Sequence, residues 1–195
     1  MRRLFVGALT IVSALALSGC SLVSTSSAPN LVNPNDVPLG LLDPTIPFTD
    51  FAQVHFVTRV VYMVDHAQQL IPVDRLMTSP PSLTEVLHYV ALGPTLAEQA
   101  NGVTTQVPAS LVVNEATPVS GLAGVVHIDV SSAIKQLAPA ARRMAVAQFL
   151  FSAAAIGASN GIELSVNQTP YPLLLATGQL VTIITPADLT YLLKP

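Results

Sequence analysis

Tryptophan is absent, cysteine occurs once, and only 10% of the 195 residues are charged. A single cysteine excludes an internal disulfide and a zinc centre built on thiolates. Eight Lys and Arg against eleven Asp and Glu give a formal net charge of −3, which leaves no basic face for a phosphate backbone and argues against a nucleic-acid reader. The chain also lacks a phosphate-binding glycine loop, a dinucleotide glycine pattern and a zinc-protease helix. What it has instead is 51% hydrophobic residues and sixteen prolines. Its length suits one domain with appendages. Where the apolar residues fall decides between a membrane protein and a soluble domain with few surface charges.

Arg2 and Arg3 precede an apolar run from Leu4 to Leu17, which is followed by Ser18, Gly19 and Cys20. Positive start, apolar stretch and small residues, in that order, predict a signal peptide over residues 1–19. The run is shorter than the roughly 20 residues that cross a bilayer. Leu17-Ser18-Gly19-Cys20 resembles the bacterial lipobox, which implies cleavage before Cys20, acylation of its sulfur and retention at the extracytoplasmic face of the cell membrane. The competing reading is a retained helix that ends in a buried cysteine. Two acyl chains anchor a protein stably, and no later stretch is long and apolar enough to span.

Residues 20–50 read as a flexible tether. Pro29, Pro34, Pro38, Pro44 and Pro47 restrict the backbone and remove donors that a helix or sheet would use. Alternatively, Leu39, Leu41, Leu42 and Phe48 dock on the following domain as an irregular arm. From residue 51 to 195 the pattern is that of one domain. Alternation from Val54 to Val64 predicts a strand over 53–64, and Asp65 to Gln68 a turn. Leu70, Ile71 and Val73 then form a short strand that Pro72 places at an edge. Ser82-Leu83-Thr84-Glu85 is a capping box, and Leu83, Val86, Leu87 and Val90 form one helical stripe, so 82–92 is a helix ended by Gly93-Pro94. Thr95 to Glu98 offers a second capping box for a short turn. Strands are expected at 111–113 and 124–130, with a loop around Thr117 to Gly121 between them. A second helix, buried on more than one side, is expected from Pro139 to Ile156 and stopped by Gly157. After it come a half-buried strand around Ile162 to Val166, a strand from Leu180 to Ile184, and a short helix starting at Thr185. The order is that of an α+β domain, a mixed or antiparallel sheet with two main helices packed on it.

The chemistry is sparse. Gly157-Ala158-Ser159-Asn160-Gly161 matches the hydrolase G-x-S-x-G string, but a helix precedes it and a strand follows, the reverse of a nucleophile elbow. The same residues read as a helix stop and a polar turn. His55, His66, His88 and His127 show no ligand spacing on a helix face. His127 and Asp129 share a strand face and are read as its solvent-facing polar side. No catalytic residue, metal ligand or cofactor is assigned.

The order of these segments resembles the GerMN (sporulation and spore germination) domain. Gln69-Leu70-Ile71-Pro72-Val73-Asp74-Arg75 is similar to the family's L-V-P-V-x-R hairpin. Leu83 to Gly93-Pro94-Thr95 is similar to its helix and following G-P-T, and Gln106-Val107-Pro108 with Leu111-Val112-Val113 to its turn and strand. Val125 to Ser131 resembles V-x-V-D-L-S, and Ala147-Gln148-Phe149-Leu150 through Val166 its second helix and succeeding strand. Two departures are that Asn167-Gln168 stands where the family often has D-G, and that Pro108-Ala109-Ser110 lacks a glycine. The resemblance implies an α+β fold like ring-building modules of secretion and sporulation machines, no known catalytic residues, and a role in protein contacts. In some actinobacterial lipoproteins the domain accompanies a sensor kinase.

The expectation is therefore a lipid-anchored envelope protein, held in the membrane through Cys20, whose domain contacts a sensor kinase or an envelope assembly component and does not bind nucleic acid. Gly93, Pro94 and Thr95 are expected to shape a turn, and Asp129 to tie a loop or cap a turn. The alternative is a carrier or sensor of an apolar ligand, which requires an enclosed apolar cavity between sheet and helices. A hydrolase using Ser159 is the third reading.

Overall fold

The computed structural model describes residues 55–195. The expected signal peptide, Cys20 and the tether lie outside the described residues. The first element is a hairpin, β1 (Phe56–Val64) and β2 (Leu70–Thr78), paired antiparallel from Phe56↔Thr78 to Val64↔Leu70. The Asp65 carboxylate shapes its turn, accepting the amides of Ala67 and Gln69 at 2.9 and 3.0 Å. β2 runs on through Arg75 and Met77, past the short strand expected. Pro72 is tolerated because it sits opposite Tyr62, whose amide and carbonyl both point away from β2, so no ladder bond is lost.

Helix α1 (Leu83–Leu92) starts where Ser82 accepts the amide of Glu85, and it buries Val86, Leu87 and Val90. The expected capping box is only half made, because the Glu85 carboxylate turns instead to the amide and hydroxyl of Thr78 on β2. The short α2 (Leu96–Ala100) has a complete capping box between Thr95 and Glu98. β3 (Val113–Pro118) and β4 (Val125–Val130) are antiparallel. The strand expected at 111–113 starts only at Val113 and runs on, so the expected loop begins at Val119: Thr117 and Pro118 lie in β3 opposite His127 and Val126, and Pro118 is accommodated because β3 is the edge of its sheet. A 3-10 turn, Ser132–Gln136, leads to α3 (Pro139–Ala154), which carries the chain over to β5 (Gly161–Val166), parallel to β4. In α3 every residue from Met144 to Ala153 is buried.

β5 departs from the half-buried strand expected: Ser165 is 3% exposed and only Glu163 is partly open. Its far edge pairs with β6 (Thr169–Pro170) and β9 (Ile183–Ile184). The single strand expected from Leu180 to Ile184 is instead two pieces. β8 (Leu180–Val181) pairs with β7 (Leu173–Leu174), and β9 returns to β5. Gly161 makes that return possible, since a Cβ there would come within 2.6 Å of the Ile184 carbonyl oxygen. The chain then forms α4 (Pro186–Leu189), with a capping box between Thr185 and Asp188, and a 3-10 turn at Thr190–Leu192.

Alternation puts Val126, Ile128 and Val130 of β4 and Ile162, Leu164 and Val166 of β5 on one face. That face joins Phe149 and Leu150 of α3, Val86 and Leu87 of α1, and Val61 and Met63 of β1 in one apolar core. The architecture is α+β, a mixed sheet and a hairpin packed against two main helices. Among the described residues no helix is long and apolar enough to cross a membrane.

Candidate functional site

Two polar centres sit at the places the sequence marked. The first surrounds Gly93-Pro94-Thr95. Gly93 ends α1 with φ 75°, its amide donating to the Val90 carbonyl, and a Cβ there would press on Thr105 Cγ2 at 3.2 Å. The turn delivers Thr95 to cap α2, with the Thr95 amide donating to Glu98 Oε2 at 2.7 Å. The Glu98 carboxylate also meets Arg75 of β2 in a two-point pair, Nη1 to Oε1 at 2.6 Å and Nη2 to Oε2 at 2.7 Å. Planar guanidinium and carboxylate match in such a fork. The Arg75 hydrogen bonds hold the Glu98 carboxyl below the usual carboxylate range against the upward push of burial, and Thr95 adds to them. Arg75 is 9% exposed. The motif segments containing Arg75 and Gly93-Pro94-Thr95 therefore meet in one clamp between hairpin and helices.

The second centre is Asp129 on β4, 1% exposed and so not on a solvent-facing side as expected. Its Oδ1 accepts the Ser165 hydroxyl of β5 at 2.5 Å and the Gln168 amide at 2.8 Å, and its Oδ2 accepts the Asn114 side chain of β3 at 2.8 Å. Asn167 and Gln168 form the β5–β6 turn with φ 50° and 63°, the geometry in which Asn-Gly or Asp-Gly is usual. One carboxylate thus ties β3, β4, β5 and the tight turn together. Burial pushes the Asp129 carboxyl up, but hydrogen bonds from Ser165, Asn114 and Gln168 and the nearby His127 outweigh it, so it stays below its ordinary value.

His127, Ser165 and Asp129 invite comparison with a catalytic triad, since His127 Nε2 lies 2.9 Å from Ser165 Oγ. The order of bonds is wrong for one. Ser165 gives its proton to Asp129, so His127 acts on it as a donor, whereas a triad histidine must accept the serine proton. Ser165 is also buried. Ser159, in the G-x-S-x-G string, lies exposed in the turn between α3 and β5, and Asn160 beside it ties that turn to the β3–β4 loop by donating to the Ala123 carbonyl at 2.7 Å. Among the described residues no three His, Cys, Asp or Glu side chains converge as metal ligands would.

Sequence reasoning did not find the Arg75–Glu98 pair or the Asn114, Ser165 and Gln168 partners of Asp129. The available signals were Glu98 in its capping box and two non-glycine residues in a tight turn. Surface grooves are also present among the described residues. One of about 540 Å³ lies by the start of α3, one of about 340 Å³ between α1 and the end of α3, and one of about 330 Å³ beside α4.

A family model for sporulation and spore germination (Germane) matches residues 60–172. The fold is similar to the tandem GerMN domains of the sporulation protein GerM from Bacillus subtilis, at 15% identity and TM-score 0.52 over 69% of this chain and 48% of that one. It is also similar to the first GerMN domain of the same protein, at 16% identity and TM-score 0.51 over 68% of this chain and 99% of that one. The chain thus spans about half the length of the tandem structure. No curated protein matches it. Because the matched segment takes in both polar centres and more than half of the sequence, the chain belongs to the sporulation and spore germination family, as a GerMN-domain protein.

Proposed function

We propose that this protein is a lipid-anchored component of the extracytoplasmic face of a bacterial cell membrane, whose GerMN domain is a non-catalytic module that docks another envelope protein. The observation that carries the non-catalytic part is the use made of the buried charged groups. Arg75 and Glu98 neutralise each other, and Asp129 spends its carboxylate on three donors. Groups so committed hold neighbouring segments of the fold together, and their main contacts are all within the protein. The anchoring part rests on Leu17-Ser18-Gly19-Cys20. Sensor kinases and envelope assembly components are the partner classes implied by the family resemblance.

The test is Cys20→Ala in the full chain, expressed with an alkynyl palmitate. The expected result is loss of the acyl label and release from the membrane fraction, with crosslinking in the intact envelope capturing a protein partner for the parent chain. A Cys20→Ala variant that keeps both label and membrane association, or a parent that captures no protein under any growth condition, would overturn the reading. The apolar-carrier alternative has less support: the space between sheet and helices is filled by Ile128, Phe149 and Leu150, all fully buried, and the described grooves lie at the surface.

A further inference from the structure

Along β1 the amide and carbonyl of successive residues point to alternate sides of the strand. Those of Tyr62 point away from β2, and so do those of Val64, which exchange bonds with Thr104 at 3.0 and 2.6 Å. The same parity turns the amides and carbonyls of Phe56, Thr58 and Val60 outward. There the cover given by α3 and by Thr104 is missing: among the described residues these three amides and three carbonyls meet no hydrogen-bond partner, and β2 is the one strand that pairs with β1.

Other strand edges of the domain are blunted. On the outer side of β2, Pro72 has no amide hydrogen, the Leu76 carbonyl accepts the Tyr89 hydroxyl at 3.1 Å, the Thr78 amide donates to Glu85 at 2.9 Å and the Leu70 carbonyl accepts the Lys194 amide. The edge strand β3 carries a bulge between Val113 and Glu115 and ends in Pro118. Proline, bulges and side-chain cover are the usual means of keeping an edge from pairing. The stretch Phe56–Val60 has none of them, and its outer face is apolar: Phe56 is 61% exposed, as is Leu76, which lies opposite Thr58 in the hairpin. Its one charged residue, Arg59, alternates to the opposite face.

We propose that this open edge is a self-association site, at which two copies join β1 to β1 antiparallel about Thr58 and form one four-stranded sheet, β2–β1–β1–β2. Three outward amide and carbonyl sets in a row are satisfied together by extended backbone, which makes the occupant a strand. The pattern of the stretch makes that strand a second copy. Pairing about Thr58 sets Thr58 against Thr58 and Phe56 against Val60 of the second copy, so all three outward residues of each copy bond reciprocally and an aromatic side chain meets a β-branched one. Shifting the register one way puts Arg59 directly against Arg59 and Phe56 against Tyr62, whose amide Ser152 already holds. Shifting it the other way carries Val60 past Phe56 to residue 54, outside β1. Such a pair has the twofold symmetry commonest among oligomers. Five residues make a small interface, so it forms where copies are concentrated. It is independent of which envelope protein the domain docks.

The test uses the full chain in detergent solution at about 1 mM, the order of effective concentration that tethering gives, with half of the protein carrying heavy nitrogen. The photoreactive residue benzoylphenylalanine replaces Phe56 or, as a control, Leu122, an exposed position in the turn before β4. Light is expected to give dimers that join a heavy copy to a light one, with the adduct from position 56 on Val60 or its neighbours Arg59 and Val61. Thr58→Lys, which sets two like charges opposite each other in the pair, should lower that yield at least roughly tenfold. Thr58→Pro removes an outward amide and no bond to β2, and should do the same, whereas Thr58→Val should keep the dimer; thermal melting establishes that each variant is folded. Absence of mixed dimers, adducts mapped outside β1, a yield unchanged in folded Thr58→Lys, equal dimers from position 122, or adducts confined to one chain would overturn the proposal. So would capture at position 56, in the intact envelope, of a different protein and never of a second copy.

Discussion

Gln168 adopts φ 63° without being glycine, a conformation that costs a residue with a Cβ about 1 kcal/mol or more. Asp129 offsets this by accepting the Gln168 amide. Gln168→Gly should therefore stabilise the protein by about 0.5–1 kcal/mol, seen as a higher melting temperature; a lower one would mean that the turn is not under strain. Asp129→Ala should cost about 2–4 kcal/mol, because Ser165 and Asn114 lose their acceptor in a buried place. At this scale the sequence was partly legible. Asp129 was marked as a tie, but its partners come from β3, β5 and the turn after it, up to 39 positions away. Pairing across strands sets such contacts, and no local pattern carries them. Arg75 was hidden for the same reason, since in a strand it looks like any solvent-facing charge.

At the level of elements, what could be read was whatever local chemistry decides. Ser82, and Thr95 with Glu98, announce their helices by backbone capping, and the apolar density of α3 announces its burial, while the Glu85 half of the first box is lost to Thr78 on the neighbouring strand. What failed was decided by tertiary context: β3 extends through Pro118 because it is an edge strand, and Ser165 is buried because Asp129 satisfies it. The relation between α3 and β1 belongs here too. Ser152 Oγ accepts the Tyr62 amide at 2.8 Å, and Gln148 Nε2 donates to the Tyr62 carbonyl at 3.1 Å, so the helix occupies the strand's outer edge. Such cover is one way proteins protect an edge from pairing with another chain. Ser152→Ala should cost about 1–3 kcal/mol and selectively speed hydrogen exchange at the Tyr62 amide; unchanged exchange there would show that the hydroxyl does not guard it.

For the whole molecule, Asp129 and Glu98 both titrate below their ordinary range when folded. A carboxyl with a lowered folded-state value adds stability that is complete above its unfolded value, about 4, and is lost as pH falls through the folded one. The protein is thus expected to keep its melting temperature from neutrality to about pH 5 and to lose it below about pH 4, with a smaller acid-side loss in Glu98→Gln, where the charge is already gone. Equal losses in parent and variant would remove Glu98 from the account.

The last turns of the chain return to its first hairpin. The Lys194 amide donates to the Leu70 carbonyl at 3.0 Å, and its ammonium lies 3.2 Å from Asp65 across 129 positions. That seam gives folding a sequence in time. It joins segments 129 positions apart, and closing so long a loop is slow and entropically costly. The hairpin and the C-terminal turn should therefore be sealed last, and the amides of Leu70 and Lys194 should report the earliest opening of the native state.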